Sequence, residues 1–496
     1  MGIYFAGLLV VGLYFARRQT GRDSYYLGNR KMPWFFVGIS VIATLLSSVT
    51  YLAVPGEMIR YGIGFGASLL SFIIIVPVLN YILIPFLKKL PFTSVYECLE
   101  KRFNIQTRII AASGFMISRL IWTGLIIYMT SYAVSAMTGW NMAVLIIAIG
   151  IFTTIYTSAG GFSAVIWTDF IQFTILFGGA IFVPIYVWIF TGDGMGTWWE
   201  SFSQAGRAEV PIFSLDPEVR LTVVGIVLVM TLWNICTHGA DQVAAQRYLS
   251  TPDLKSARRS VYIFSAANIL LIVFLMITGL ALFYYFFQET DLSVTAFQNE
   301  IAPKADDIFP EFIATRLPAG ISGLILAALL AAAMSSLSSA INSISSVVVT
   351  DFFDRFNAFK KYRDHLYLPI IIAVLTGIFG IIFALGILYI MRTSTWNLLE
   401  LTERGNHLFV APLGVLFFVG ILMRRVGAKA AILGFFAGLA TSISISFSQE
   451  IFGLEERLGF VWILPGSVAV SFLVSWAASY IFPPEPEVEW IEPAKE

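Results

Sequence analysis

The sequence predicts an all-α membrane protein with about thirteen transmembrane helices. Of its 496 residues, 58% are hydrophobic and 12% charged, against roughly 45–50% and about 25% in ordinary soluble proteins. The mean hydropathy is +0.81. Apolar runs recur along almost the whole chain, each close to the about 20 residues a helix needs to cross a bilayer. This composition excludes a typical soluble domain, a disordered chain and a disulfide scaffold. Lys+Arg and Asp+Glu are each 31, so no global field points to nucleic acid. Cys98 and Cys236 form no CxxC pattern and no framework.

Spans are expected near residues 2–17, 34–54, 62–87, 109–137, 140–158, 163–191, 221–240, 261–288, 318–350, 367–391, 408–423, 430–447 and 459–482. The first run has no small-residue cleavage site and reads as a retained helix. With the segment after that span taken as cytoplasmic, 22 of the 31 Lys and Arg fall on the cytoplasmic side. The positive-inside rule then puts the N-terminus outside and the C-terminus in the cytoplasm. The expected location is the plasma membrane, with a bacterial inner membrane favoured by compact loops and a short tail. The outer loops 192–220 and 289–317 are rich in Asp, Glu and Trp, and the Pro- and Glu-rich tail 483–496 reads as disordered.

No GxxxxGK[ST] loop is present, so the chain carries no visible ATP engine. Gly62, Gly64 and Gly66 follow no strand and are better explained by helix packing. No Cys/His cluster has metal-ligand spacing, and His238, His365 and His407 are too scattered to suggest a nucleophile–base pair. A transporter or channel is therefore expected, with no enzymatic activity and no organic cofactor.

Three stretches carry polar chemistry inside apolar spans. The first, SVIATLLSSVTYLAVPGE, holds Ser40, Thr44, Ser47, Ser48 and Thr50 before Pro55-Gly56. Hydroxyls can satisfy backbone groups freed where a membrane helix unwinds, and such breaks hold ions and substrate in transporters. The alternative is a helix that uses Ser and Thr as interhelical glue. The second, AAAMSSLSSAINSISS, places Ser335, Ser338, Ser339 and Asn342 on one helical face. A hard monovalent cation is held by several neutral oxygens, which hydroxyls and carbonyls supply without stranding charge in lipid. Its alternative is a small-residue packing seam. The third, GGFSAVIWTDFIQF, puts Asp169 inside a span. A carboxylate there usually faces a cavity, a partner or an ion. Its alternative is a residue at the cytoplasmic interface, capping or paired with a loop Arg. Arg119 is buried by position, to be satisfied by snorkelling or by Asp169. His238 and Asp241, and the run Glu400, Glu403, Arg404, Asn406 and His407, suit either solute binding or an ion-pair network.

At these motifs the sequence resembles the sodium–solute symporter family, whose members carry glucose, sialic acid, proline, iodide and monocarboxylates. The carrying stretches are SSVTYLAVPGEMIRYG, FTSVYECLEKRF, GGFSAVIWTDFIQ, DQVAAQRYLSTPDLKSARRS and AAAMSSLSSAINSISS. The resemblance implies a leucine-transporter-like core of five plus five helices in inverted repeat. The repeats would be 34–191 and 221–423, joined by the extracellular loop 192–220. Residues 1–33 and 424–482 would be peripheral, ahead of the tail 483–496.

The resemblance also implies a main sodium site of the carbonyls of Ala43, Leu46 and Ala332 with the hydroxyls of Ser335 and Ser336. A second sodium site would use Asp169, Ser335, Ser338 and Ser339. The implied substrate residues are Ser47 and Thr50 as hydroxyls, Phe65 as an aromatic wall, Trp122, Asn234, and His238 near an inner gate. Arg119 and Arg404 would supply counter-charge to an anion. Trp122 and Leu69 stand where a sialic acid transporter has arginine and glutamine, and Trp122-Thr123-Gly124 is closer to the monocarboxylate and iodide branch. The expected protein is a sodium-coupled symporter, monomeric as a transport unit, embedded in the lipid bilayer. It would import a small polar organic solute, with a lean toward an organic anion. Sugars, polyols or amino acids are the alternative solutes, and an uncoupled channel or uniporter is the alternative class.

Overall fold

The structure, a computed structural model, describes residues 2–89, 92–214, 221–290, 304–358, 365–391, 398–454, 458 and 460–484. Among them the secondary structure is helical, with no strand. Eight helices are long and apolar enough to cross a membrane, and a ninth candidate is a bent pair. Shorter apolar helices cover Tyr4–Ala16, His407–Leu422 and Ile463–Ala478. The helix Met142–Thr191 runs for 50 residues and is kinked at Gly161. Counted as two arms, it completes a helical counterpart for each expected span.

Local sequence explains the irregular points. Gly161 has φ 60° and ψ −162°, a region that L side chains rarely enter. A Cβ there would also lie 3.0 Å from the Tyr25 carbonyl oxygen. The helix Trp34–Leu45 stops at Leu46 and Ser47, both extended, and resumes as Ser48–Tyr61. The two arms meet at 62°. Ser47 caps the second arm by accepting from the Thr50 N–H at 3.4 Å, as N-cap serines do. Pro55 lies inside that continuous second arm, so the break falls at Leu46-Ser47 and not at the proline. Gly279 lets the helix Leu254–Thr290 lie close to it, because a Cβ there would meet Pro55 Cα at 2.9 Å and Met58 Cβ at 2.6 Å.

Several expected boundaries shift. The run from Glu400 to His407 lies within the helix Leu398–Leu422 and not ahead of it. The side chains of Glu400, Glu403 and Asn406 are outside the described residues, as is most of the tail. The stretches 192–220 and 289–317, expected as loops, contain the helices Met195–Gln204 and Ala305–Thr315.

Burial sorts the helices into layers. The span containing the serine-rich helix Ala319–Val347 is 89% buried over its apolar window, whereas Tyr367–Met391 and Ala428–Ser446 are each 33% buried. The former is a core helix and the latter two present apolar faces outward. Ile371, Leu375, Ile378 and Ile382 form one such exposed stripe, at the spacing of a single helical face. The serine helix packs against Met142–Thr191, Ile105–Thr138 and both arms of the broken helix, which brings the three polar stretches together.

Candidate functional site

The break in the first core helix frees carbonyl groups. A helix end leaves its last four carbonyls without intrahelical partners, and here the end is buried. The serine helix supplies partners. Ser335 Oγ donates to Ala43 O at 2.5 Å and to Ala332 O at 3.0 Å. Ser336 Oγ donates to Thr44 O at 2.8 Å, with Leu46 O and Ala332 O each at 3.4 Å. The two hydroxyls thus share Ala332 O and reach Ala43 O, Thr44 O and Leu46 O at the break, all on buried residues. These are carbonyl and hydroxyl oxygens with no formal charge, the set that suits a hard monovalent cation.

One turn along the same helices lies a charged cluster. Asp169 is fully buried. Its Oδ2 accepts from Ser40 Oγ, from Thr44 Oγ1 at 3.3 Å and from Arg247 Nη2 at 3.0 Å. Arg247 comes from the short buried helix Gln242–Leu249. Its Nε donates to Ser40 Oγ at 2.8 Å, and its Nη2 also donates to Thr44 Oγ1 at 2.5 Å and to Ser339 Oγ. Sequence analysis did not single out Arg247, but the alternative it gave for Asp169, pairing with an Arg from outside the expected spans, is the arrangement observed. The only signal was its place in the DQVAAQRYLS stretch. Arg119 pairs with Asp241 and not with Asp169.

Beside the break lies a cavity of about 230 Å³. Ser47, Thr50, Phe65, Trp122 and Asn234 line it, together with Glu57, Trp233, Asn268, Phe264 and His407. Leu46, whose carbonyl faces Ser336, is also in its wall. Five of the eight expected substrate residues are thus brought together. Three are not among the lining residues. Arg119 borders a separate small cleft with Asp241, Thr237 and Cys236. His238 lies behind Phe264, with ring centroids 4.7 Å apart, and its Nδ1 is 2.7 Å from the Tyr248 hydroxyl. Arg404 donates to the carbonyls of Ser446, Ile445 and Leu458. No Lys or Arg is found among the described residues that line the cavity. Trp233 and Asn268 were missed, since nothing in their local sequence separates them from other polar or aromatic residues of a span, and Glu57 closes the first polar stretch but lies just past the expected span 34–54.

Comparisons with known proteins give the family and the fold. The family model described as the sodium:solute symporter family matches residues 25–438. The chain belongs to the sodium:solute symporter family. It is 30% identical to the sodium/sialic acid symporter SiaT of Proteus mirabilis, over 90% of this chain and 89% of that protein. It is 28% identical to human sodium-coupled monocarboxylate transporter 1, over 92% of this chain and 74% of that protein. A solved structure of a Na+-coupled sialic acid symporter, substrate-bound and outward-open, superposes with a TM-score of 0.83 at 28% identity and covers 97% of each chain. The all-helical, leucine-transporter-like fold expected from the sequence is the fold observed.

Proposed function

We propose that this family member is a sodium-coupled secondary active symporter that carries a small organic solute through the 230 Å³ cavity by alternating access. The observation that carries the reading is the helix break at Leu46-Ser47, where three backbone carbonyls meet the hydroxyls of Ser335 and Ser336. Sodium is the cargo that this donor set suits. The carbonyls of Ala43, Leu46 and Ala332 and the two serine hydroxyls would hold it between the first core helix and the serine helix. The inverted repeats would be 34–191 and 221–423, in a monomeric unit with the N-terminus outside and the C-terminus in the cytoplasm.

The solute we favour is an organic anion with an apolar body. Sialic acid and monocarboxylates, named for the relatives, belong to that class. The cavity wall carries Glu57 and no arginine among the described residues, so positive field for an anion comes from the helix start. Ser47 and Thr50 stand at the start of the arm Ser48–Tyr61, and helix N-termini favour negative charge. Leu46 joins this cap to the proposed sodium ligands, so the bound sodium itself supplies the nearest mobile positive charge. Trp122, Trp233 and Phe65 offer flat apolar surface to the rest of the solute.

Coupling follows from this adjacency. Sodium and solute share the broken helix, so each should tighten the binding of the other by the same factor. Ser336→Ala removes one hydroxyl from the sodium set, an interaction worth about 1 kcal/mol or more. The sodium concentration for half-maximal uptake in proteoliposomes should rise roughly five- to tenfold. An unchanged sodium dependence would remove the site assignment.

A further inference from the structure

We propose that Arg119 and Asp241 form an inner station for the solute, whose carboxylate leaves the cavity by taking the place of Asp241 on the Arg119 guanidinium. This rests on the organic-anion reading and adds the group that receives the anion on its way to the cytoplasm.

The small cleft beside Arg119 continues the cavity. Trp122, Asn234 and His407 line the cavity, and Arg119, Thr237 and Val410 line the cleft. Each residue of the second set stands three positions from its counterpart in the first, on the helices Ile105–Thr138, Val223–Ala240 and Leu398–Leu422. Three positions are about one helical turn, so the same three helices wall both spaces. On the proposed orientation each of these steps runs toward the cytoplasm.

The cleft is closed. Its volume is about 10 Å³, room for no more than one water. A Cβ on Gly414 would lie 3.0 Å from Cys236 Cα, so two of the helices touch closely beneath the cavity. Among the described residues that line either space, Arg119 alone is a Lys or Arg. It pairs with Asp241 Oδ2, while Asp241 Oδ1 accepts from the Val243 N–H at 2.9 Å. Asp241 thus caps Gln242–Leu249 with one oxygen and neutralises Arg119 with the other, from an extended position between two helices (φ −94°, ψ 119°).

A carboxylate that reaches Arg119 replaces Asp241 at little net cost. One buried carboxylate–guanidinium pair is exchanged for another, and neither charge is stranded. Asp241 keeps its capping bond and the positive end of its helix. A neutral solute offers no such exchange. Thr237 supplies a second donor, because its Oγ1 lines the cleft buried and without a hydrogen-bond partner, a costly state that a carboxylate would relieve. Glu57, the one acid among the described cavity residues, lies beyond Thr50 on the arm Ser48–Tyr61, toward the expected outer face. An acid at the outer end and a cation at the inner end draw an anion inward.

The test is sodium-driven uptake of radioactive sialic acid and radioactive butyrate by the full chain in right-side-out and in inverted membrane vesicles. These read the half-saturation concentration at the outer and the cytoplasmic face, for whichever carboxylate wild type accumulates. Arg119→Gln should raise the cytoplasmic-face value about tenfold, as loss of a charged hydrogen bond does, and leave the outer-face value within about twofold. Asp241→Asn, which removes the rival carboxylate, should lower the cytoplasmic-face value severalfold. A pair that only holds helices together would move both variants the same way at both faces. Where a single variant fails to reach the membrane, Arg119→Gln with Asp241→Asn strands no charge and should still raise the cytoplasmic-face value about tenfold. Equal shifts at both faces, or an unchanged cytoplasmic-face value once Arg119 is replaced, would overturn the inner station and leave symport intact. Wild-type vesicles that accumulate neither carboxylate would overturn the organic-anion reading and the inner station with it.

Discussion

Asp169 and Arg247 form a unit in which each residue depends on the other. Both are essentially inaccessible to solvent. Removing one partner of such a pair strands the other charge, at a cost of about 3–5 kcal/mol, whereas removing both costs far less. Asp169→Asn should therefore lower the melting temperature of the purified protein by several degrees, and so should Arg247→Gln. The double variant should melt no lower than either single one. Additive losses in the double variant would show that the two side chains act independently. At this scale the sequence was partly legible. Asp169 stood out because a carboxylate in a span is costly. Arg247 did not, because its short helix carries no span-length apolar run. Arg119 was legible as a buried cation, but its partner Asp241 is 122 residues away in sequence and only the fold brings them together.

At the scale of elements, two local events organise the core. The break at Leu46-Ser47 exposes carbonyls, and the kink at Gly161 lets Met142–Thr191 turn between its two arms. Gly161→Ala tests the second. The backbone at φ 60° and ψ −162° is essentially closed to L residues and costs them about 1–3 kcal/mol, and the added Cβ would press on Tyr25, whose hydroxyl bonds Ser158 O at 2.9 Å in the same kinked helix. The expected result is a melting temperature lowered by a few degrees and reduced uptake. A variant indistinguishable from wild type would mean that the kink is imposed by packing alone. Hydropathy gave the spans, since burial in lipid demands long apolar runs. It could not place the break, because an extended pair inside an apolar run leaves hydropathy unchanged. The hydroxyl-rich composition marked the region, yet Pro55, the obvious breaker, sits in an unbroken arm.

For the whole molecule, the serine helix is the axis on which the polar elements converge. It contacts the broken helix through Ser335 and Ser336 and the Gln242–Leu249 segment through Ser339, Asn342 and Ser343. Family membership was legible because several ordered stretches match together over residues 25–438. The cavity wall was less so, since its residues come from at least four separate helices. Movement of sodium down a membrane potential supplies about 2.3 kcal/mol per charge per 100 mV, and a carrier can exploit this only if ion and solute bind interdependently. The most direct measurement is solute-dependent thermal stabilisation of purified wild-type protein in Na+ and in K+ at matched ionic strength. The panel should span sialic acids, monocarboxylates, sugars and amino acids. A ligand at about 100 times its dissociation constant stabilises by about 2.7 kcal/mol, enough to shift the melting temperature visibly. The account predicts a carboxylate that stabilises the protein in Na+ and loses most of that effect in K+. Equal stabilisation in both salts would contradict sodium coupling at the helix break.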